Sequence, residues 1–321
     1  MPFNSSQNIS LEDRLLQLEA IKKDDLPEFP DDQPDLPSDY EYVPNEEEEE
    51  EEEIIEMDES ELLRTLEQQE SALSIAQRLF YNELNTTESQ KKDHEWNLKY
   101  LTSKAVEELY AKGWTEVKGF MDLSILKGAH EEADRLKDQN KFISAKDYKS
   151  DHDDPYRDMN ARDDAILWLD PRNNCCTNKD GLGVEKIPIH FRKILEFVQD
   201  ALVQDLKNMI RLNNKIEYQL SYFHPNGAHY ERHRDAFPID DPNDTEQRRI
   251  SVIMYLNPNW STGDGGEVKI FSRPDEHGLL EVADRTMKPL LGNMLIFLSG
   301  VIDYEILATK KPAYILTTWI K

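Results

Sequence analysis

His233 and Asp235 stand two residues apart in Tyr230-Glu231-Arg232-His233-Arg234-Asp235, and on an extended chain side chains at i and i+2 project to one face. An imidazole and a carboxylate so placed can share a metal ion. With one further ligand from a distant strand they form the facial set that holds Fe(II) and leaves positions open for a co-substrate and oxygen. The spacing alone decides little. The same chain contains His152-Asp153-Asp154, and His130 and His229 each have a glutamate two residues on. For any such pair a surface or salt-bridged role is the alternative, so the elements around it have to decide.

Those elements change character along the chain. A helix is expected from Leu98 to Lys112, ended by Gly113, then a strand from Trp114 to Phe120 and a helix from Leu123 to Leu136. Residues 140–163 are polar and loop-like, Ala165–Leu169 is a short strand, and Ile187–Leu212 has the apolar spacing of one long helix. After that the chain is nearly all strand: 215–223, 249–256, 267–271, 293–298 and 313–320. Helices followed by a run of short strands indicate an α+β domain, a sandwich or barrel buttressed by helices.

The 321 residues carry 65 acidic and 38 basic side chains, a net charge of −27. Residues 1–60 hold 22 acidic against 3 basic, so −19 of that charge lies in the first fifth of the chain. Five prolines and the run Glu46–Glu53 fall within residues 24–60, with too few apolar groups to offset the entropy of ordering. Residues 1–57 are therefore expected to be an acidic, largely disordered arm, with a short capped helix around Leu15, Leu18 and Ile21. Residues 58–94 should hold an amphipathic helix from Asp58 to about Asn85 and a linker, its apolar stripe either packed on the domain or free for a partner. Charge of this sign repels phosphate backbones, which argues against nucleic acid or an anionic membrane and for a basic protein surface as partner of the arm. No apolar run reaches membrane-spanning length, no signal-peptide pattern opens the chain, and the only cysteines are the neighbours Cys175 and Cys176. A cytoplasmic or nuclear location is expected.

Set among these strands, the His233–Asp235 pair has company. Tyr222-Phe223-His224-Pro225-Asn226-Gly227 through His233-Arg234-Asp235 resembles the entry to the metal site of 2-oxoglutarate- and Fe(II)-dependent prolyl hydroxylases. Arg249 to Asn257, the turn Gly265-Gly266-Glu267, the strand Gly292 to Phe297 and the closing Thr317-Thr318-Trp319 resemble later motifs of that family, in order. Upstream, Arg162-Asp163-Asp164-Ala165-Ile166-Leu167-Trp168 resembles a stretch of the oxygen-sensing prolyl hydroxylases. The likeness covers residues 95–321 and implies a double-stranded β-helix, a cupin-like jelly roll with the metal between its sheets. It also implies a dioxygenase that acts on proline in a protein or peptide and uses Fe(II), 2-oxoglutarate and ascorbate. His233 and Asp235 would then be metal ligands and Tyr255 a contact to the co-substrate carboxylate.

Two departures stand against full activity. In the family the domain ends His-Glu-Val, with an Arg nine residues after the His, then a Thr and a Trp four and six residues further on; here the same intervals carry Tyr304-Glu305-Ile306, Ala313, Thr317 and Trp319. Tyr304 thus occupies the place of the third metal ligand and Ala313 that of the cation facing 2-oxoglutarate. A neutral phenol is a poor ligand for Fe(II), and alanine offers a dicarboxylate neither charge nor hydrogen bond. Asp303 and His277 are the nearby ligand types that might substitute for the metal, and Lys311 and Lys269 the nearby cations for the co-substrate. The sequence leaves three functions open: a hydroxylase of impaired activity, a binding module that keeps the peptide groove, or a protein whose arm and helix Asp58 to Leu84 act while the domain serves as an anchor.

Overall fold

Alternating burial and turn glycines set out thirteen strands and five α-helices among the described residues of the computed structural model, which are 71–81, 98–147, 160–177, 183–238, 241, 243–271, 283 and 285–321. The acidic arm, the short helix near Leu18, His152, Asp154 and His277 lie outside them. The described residues belong to one compact unit, and among them no helix is long and apolar enough to cross a membrane.

Helix α1 is Ala72–Gln77, capped by the Ser71 hydroxyl. The sequence pattern predicted continuation to about Asn85, but the chain leaves the helix after Gln77. Tyr81 N–H donates to Met209 O and Arg211 N–H to Leu79 O, so residues 79–81 pair with an extended segment and bury Leu79 and Phe80 in the core. Of the two readings of the apolar stripe, its described part follows the packed one.

Next, Asp205 accepts the amides of Lys99, Tyr100 and Leu101, each at 2.7 Å, and pins the chain before α2 (Ser103–Lys112). Thr102 caps that helix and Gly113, at φ +81°, ends it so that β1 (Trp114–Lys118) can follow. Helix α3 is Leu123–Asp138, capped by Asp122. Strands β2 (Ile143–Ser144), β3 (Ala165–Asp170), β4 (Cys175–Thr177) and β5 (Gly183–Lys186) come next. The predicted long helix over 187–212 is instead α4 (Ile189–Phe197), a π turn over Val198–Leu202, and α5 (Val203–Lys207). Helix α4 has no side-chain cap of its own. Glu132 of α3 takes that part, accepting the amides of His190 and Phe191 at 3.0 to 3.2 Å and bonding His190 Nδ1 at 2.8 Å.

The remaining strands are β6 (Ile216–Phe223), β7 (Tyr230–Arg234), β8 (Ile250–Tyr255), β9 (Val268–Phe271), β10 (Arg285–Met287), β11 (Asn293–Leu298), β12 (Asp303–Ile306) and β13 (Ala313–Ile320). They form two sheets. The larger runs β1-β11-β8-β13-β6-β3-β4-β5, with β2 added to β3; the smaller runs β10-β9-β12-β7. Every pairing is antiparallel. The fold is the expected α+β one, a double-stranded β-helix with supporting helices. Its strands β8, β11 and β13 are buried throughout, because helices cover one face and the smaller sheet the other.

Candidate functional site

Register decides which side chains meet. Opposite residues of an antiparallel pair share a face, so Phe297↔Ser251, Ser251↔Trp319, Ile253↔Thr317, Tyr255↔Ile315 and Ala313↔Phe223 place one set of side chains on a single face of the larger sheet. Strand β12 brings Tyr304 opposite His233 of β7, and Tyr304 packs edge-on against Phe297 at 5.1 Å between ring centres. The interior between the sheets therefore holds His233, Asp235 and Tyr304 together with Ser251.

Asp235 is the hub. Its side chain is 4% exposed. Oδ2 accepts from the Ser251 hydroxyl at 2.6 Å, and Ser251 is itself 2.7 Å from the Ser299 hydroxyl. Oδ1 accepts from the Tyr304 hydroxyl at 3.3 Å and lies 3.7 Å from His233 Nε2. His233 Nδ1 is 2.7 Å from the Glu231 carbonyl, which can only accept, so Nδ1 carries the proton and Nε2 presents its lone pair. That Nε2 is buried without a hydrogen-bond partner. Burial lowers the His233 pKa, against the opposing pull of Asp235, and keeps the ring neutral. Burial also raises the Tyr304 pKa well above that of a free phenol, with Asp235 adding to the shift.

A β-bulge completes the site. Between the pairs Tyr304↔His233 and Ile306↔Tyr230 the smaller strand advances two residues while β7 advances three. The extra residue turns Tyr230 and His233 to the same side, and their rings stack 3.6 Å apart at 16°. Arg162 lies over the far face of this stack, 4.2 Å from the Tyr230 ring, and forms a two-pronged pair with Asp164 at 2.7 Å for each bond. The loop that carries this pair runs antiparallel beside β7, with Arg162 opposite Tyr230, and makes the cation a wall of the site. Ser251, Ser299 and Tyr230 went unremarked as partners; only the i, i+2, i+4 alternation along β8 pointed to Ser251.

Two of the three donors that a facial site needs are present. Nε2 of His233 is an orphaned buried acceptor and Asp235 adjoins it, but the third place holds a neutral hydroxyl that donates to Asp235 rather than a lone pair for a metal. Among the described residues no group of three His, Cys, Asp or Glu side chains is arranged to hold a metal ion. Asp303 is no substitute, since it points to the opposite face and binds Arg232 at 2.9 Å and Arg234 at 2.5 Å. Among the described residues the donor set does not fit Fe(II) as a resident ion.

At the expected co-substrate position the described residues show no cation turned inward. Tyr255 is buried with a hydroxyl that has no partner, the arrangement of a donor available to a carboxylate. Facing it, Ala313 has no charge. Lys311, the expected surrogate, pairs with Asp264 at 3.1 Å and is largely exposed, and Lys269 pairs with Glu305 at 2.6 Å on the outer face. That corrects the expectation for Lys311: its strand does not start early enough to turn the ammonium inward, because β13 begins at Ala313. Lys311 and Ala313 instead line a cavity of about 240 Å3 together with His130, Asp134, Trp260 and Asp264.

Residues 218–321 match the family model of the 2OG-Fe(II) oxygenase superfamily. Among solved structures, the chain is similar to a prolyl-4-hydroxylase from Pseudomonas putida (24% identity, TM-score 0.48, covering 68% of this chain and 97% of that one). It is also similar to a prolyl hydroxylase from Trichoplax adhaerens in complex with a hypoxia inducible factor oxygen degradation domain peptide fragment (21% identity, TM-score 0.48, covering 67% and 86%). A third is a prolyl 4-hydroxylase from Phytophthora capsici (17% identity, TM-score 0.48, covering 69% and 63%).

Proposed function

We propose that this chain, whose residues 218–321 match the 2OG-Fe(II) oxygenase superfamily model, binds a proline-containing protein segment in the groove of its β-helix and oxygenates it little or not at all. One observation carries this reading: the Tyr304 hydroxyl fills the third ligand position and is bonded to Asp235, so the carboxylate is committed to a side chain. Ala313 at the cation position points the same way. The ligand class comes from the motifs around residues 162–168 and 222–235, which resemble prolyl hydroxylases. The acidic arm contributes contacts to a basic partner in the cytoplasm or nucleus, as the charge of −19 over residues 1–60 supports.

The test is succinate release with Fe(II), ascorbate, 2-oxoglutarate and proline-containing peptides, run beside metal-free binding of the same peptides by fluorescence anisotropy. Binding without turnover in the wild type, and turnover only in a Tyr304→His, Ala313→Arg double variant, is the expected result. Wild-type turnover that disappears in His233→Ala overturns the reading and shows that another group completes the metal site.

A further inference from the structure

A cavity of about 740 Å3 lies away from His233, between the π turn with α5 and the strands β3, β4 and β6. Its volume is in the range of small-molecule sites. Leu169 and Val203 line its apolar side, and Trp168, on the other face of β3, borders it. Three features set it apart from an accidental crevice. First, the π turn over Val198–Leu202 supplies Gln199 to the lining, and such turns are rare, costly in hydrogen-bond geometry and frequent at functional sites. Second, Tyr218, which lines it, is 2% exposed and buries a hydroxyl with no hydrogen-bond partner among the described residues.

Third, the charge is reversed. In a chain of net −27, the described lining carries four cations, Arg172, Lys207, Lys215 and Lys321, against Asp170 and Glu217. Both acids are engaged: Asp170 with Arg172 and Asn173, Glu217 with Arg248 and Lys321. Lys215 is met by Glu246 from outside the lining, whereas Lys207 bonds the neutral side chain of Asn214.

From the apolar side, the buried hydroxyl and the cationic rim we infer that this cavity is a second binding site, for a small amphipathic organic anion whose apolar part lies against Leu169 and Val203 and whose acid group meets Lys207. It is independent of the peptide groove, so either proposal can fail alone.

The test uses the full chain and two probes, the aryl sulfonate 1-anilinonaphthalene-8-sulfonate and its neutral relative N-phenyl-1-naphthylamine. Expected is saturable one-to-one binding of the sulfonate in preference to the neutral probe. Lys207→Glu should weaken it about tenfold, more than the loss of one exposed ion pair because the sign is reversed. Gln204→Trp, at an exposed lining position, should block it with circular dichroism and Tm unchanged. If that variant misfolds, Arg172→Glu replaces it, since the Arg172 side chain is 92% exposed. Sulfonate binding that does not saturate, that the neutral probe equals, or that neither rim variant changes overturns the inference.

Discussion

Tyr304 faces His233 across β12 and β7 with ring centres 4.3 Å apart, and its hydroxyl ends on Asp235, the residue a metal would need. The residue is both packed and hydrogen-bonded there. The phenol is held by Phe297 on one side and His233 on the other, and it is 2% exposed. Its body should therefore matter more to stability than its hydroxyl.

Tyr304→Phe should cost about 1 kcal/mol, the net value of one hydrogen bond, because Asp235 keeps its bond from Ser251. Tyr304→Ala should cost about 3–5 kcal/mol, as other large aromatic truncations in cores do. Urea unfolding measures both. Near-equal costs for the two variants would mean that Tyr304 is held mainly by its hydrogen bond.

His233 gives the fold a pH dependence of defined sign. Burial lowers its folded pKa, while the unfolded chain takes up the proton near pH 6.5. Below about pH 6.5 the unfolded state binds the extra proton and the native state resists it, so this contribution is complete above that pH and is lost as pH falls toward the folded pKa. Between pH 7.5 and 5.5 the wild type should lose more stability than His233→Gln. Parallel curves for the two proteins would remove His233 as the cause.

Much of this was legible in the sequence, for definite reasons. His233 and Asp235 lie on one short extended segment, and Tyr304 and Ala313 are fixed by intervals that need no gap, so local spacing reaches them. Arg162 is different, because only the fold carries the loop before β3 alongside β7 to stack on Tyr230. The bulge that turns Tyr230 beside His233 inserts one residue into β7 without a glycine to mark it. The π turn within 187–212 was hidden because the buried positions Ile194, Leu195, Val198, Leu202, Val203 and Leu206 continue an ordinary helical spacing through it. Where Lys311 points depended on the first residue of β13, and strand ends are set by pairing partners.

Gly265 tests the turn that precedes β9. Its φ is +80°, and a Cβ there would sit 2.0 Å from the Ala308 carbonyl oxygen, whereas Gly263 at φ +99° has nothing within 4 Å. Both positions disfavour an L side chain, by roughly 1–2 kcal/mol for the backbone alone. Gly265→Ala should cost clearly more than Gly263→Ala, since only the former must also push back a backbone carbonyl. Equal Tm shifts for the two variants would show that the turn opens without resistance.

The Arg162–Asp164 pair should behave as a buried ion pair. The Asp164 side chain is fully buried and that of Arg162 is 15% exposed. Arg162→Ala strands the carboxylate and should cost about 3–5 kcal/mol, while an Arg162→Met, Asp164→Leu double variant should recover most of that loss. Denaturant unfolding of the two proteins decides. A double variant no more stable than Arg162→Ala would mean that the stack on Tyr230, rather than the charge pair, supports this wall of the site.

The last prediction restores the third donor. Tyr304→His would place an imidazole opposite His233 and release Asp235 from its phenol bond, so that two imidazoles and a carboxylate share one pocket. At a Mn(II) concentration 100 times the dissociation constant of this variant, mass action should stabilise it by about 2.7 kcal/mol. Losing even an outer partner of a metal site commonly costs 10–100-fold in affinity, and a missing ligand should cost at least the upper figure. The wild type would then be at most half occupied at the same concentration and gain no more than about 0.4 kcal/mol. Thermal unfolding with and without Mn(II) separates the cases without any need for turnover. A wild type stabilised as much as Tyr304→His would show that a third donor already exists near His233 and Asp235, and the reading of Tyr304 as the residue that closed the metal site would be wrong.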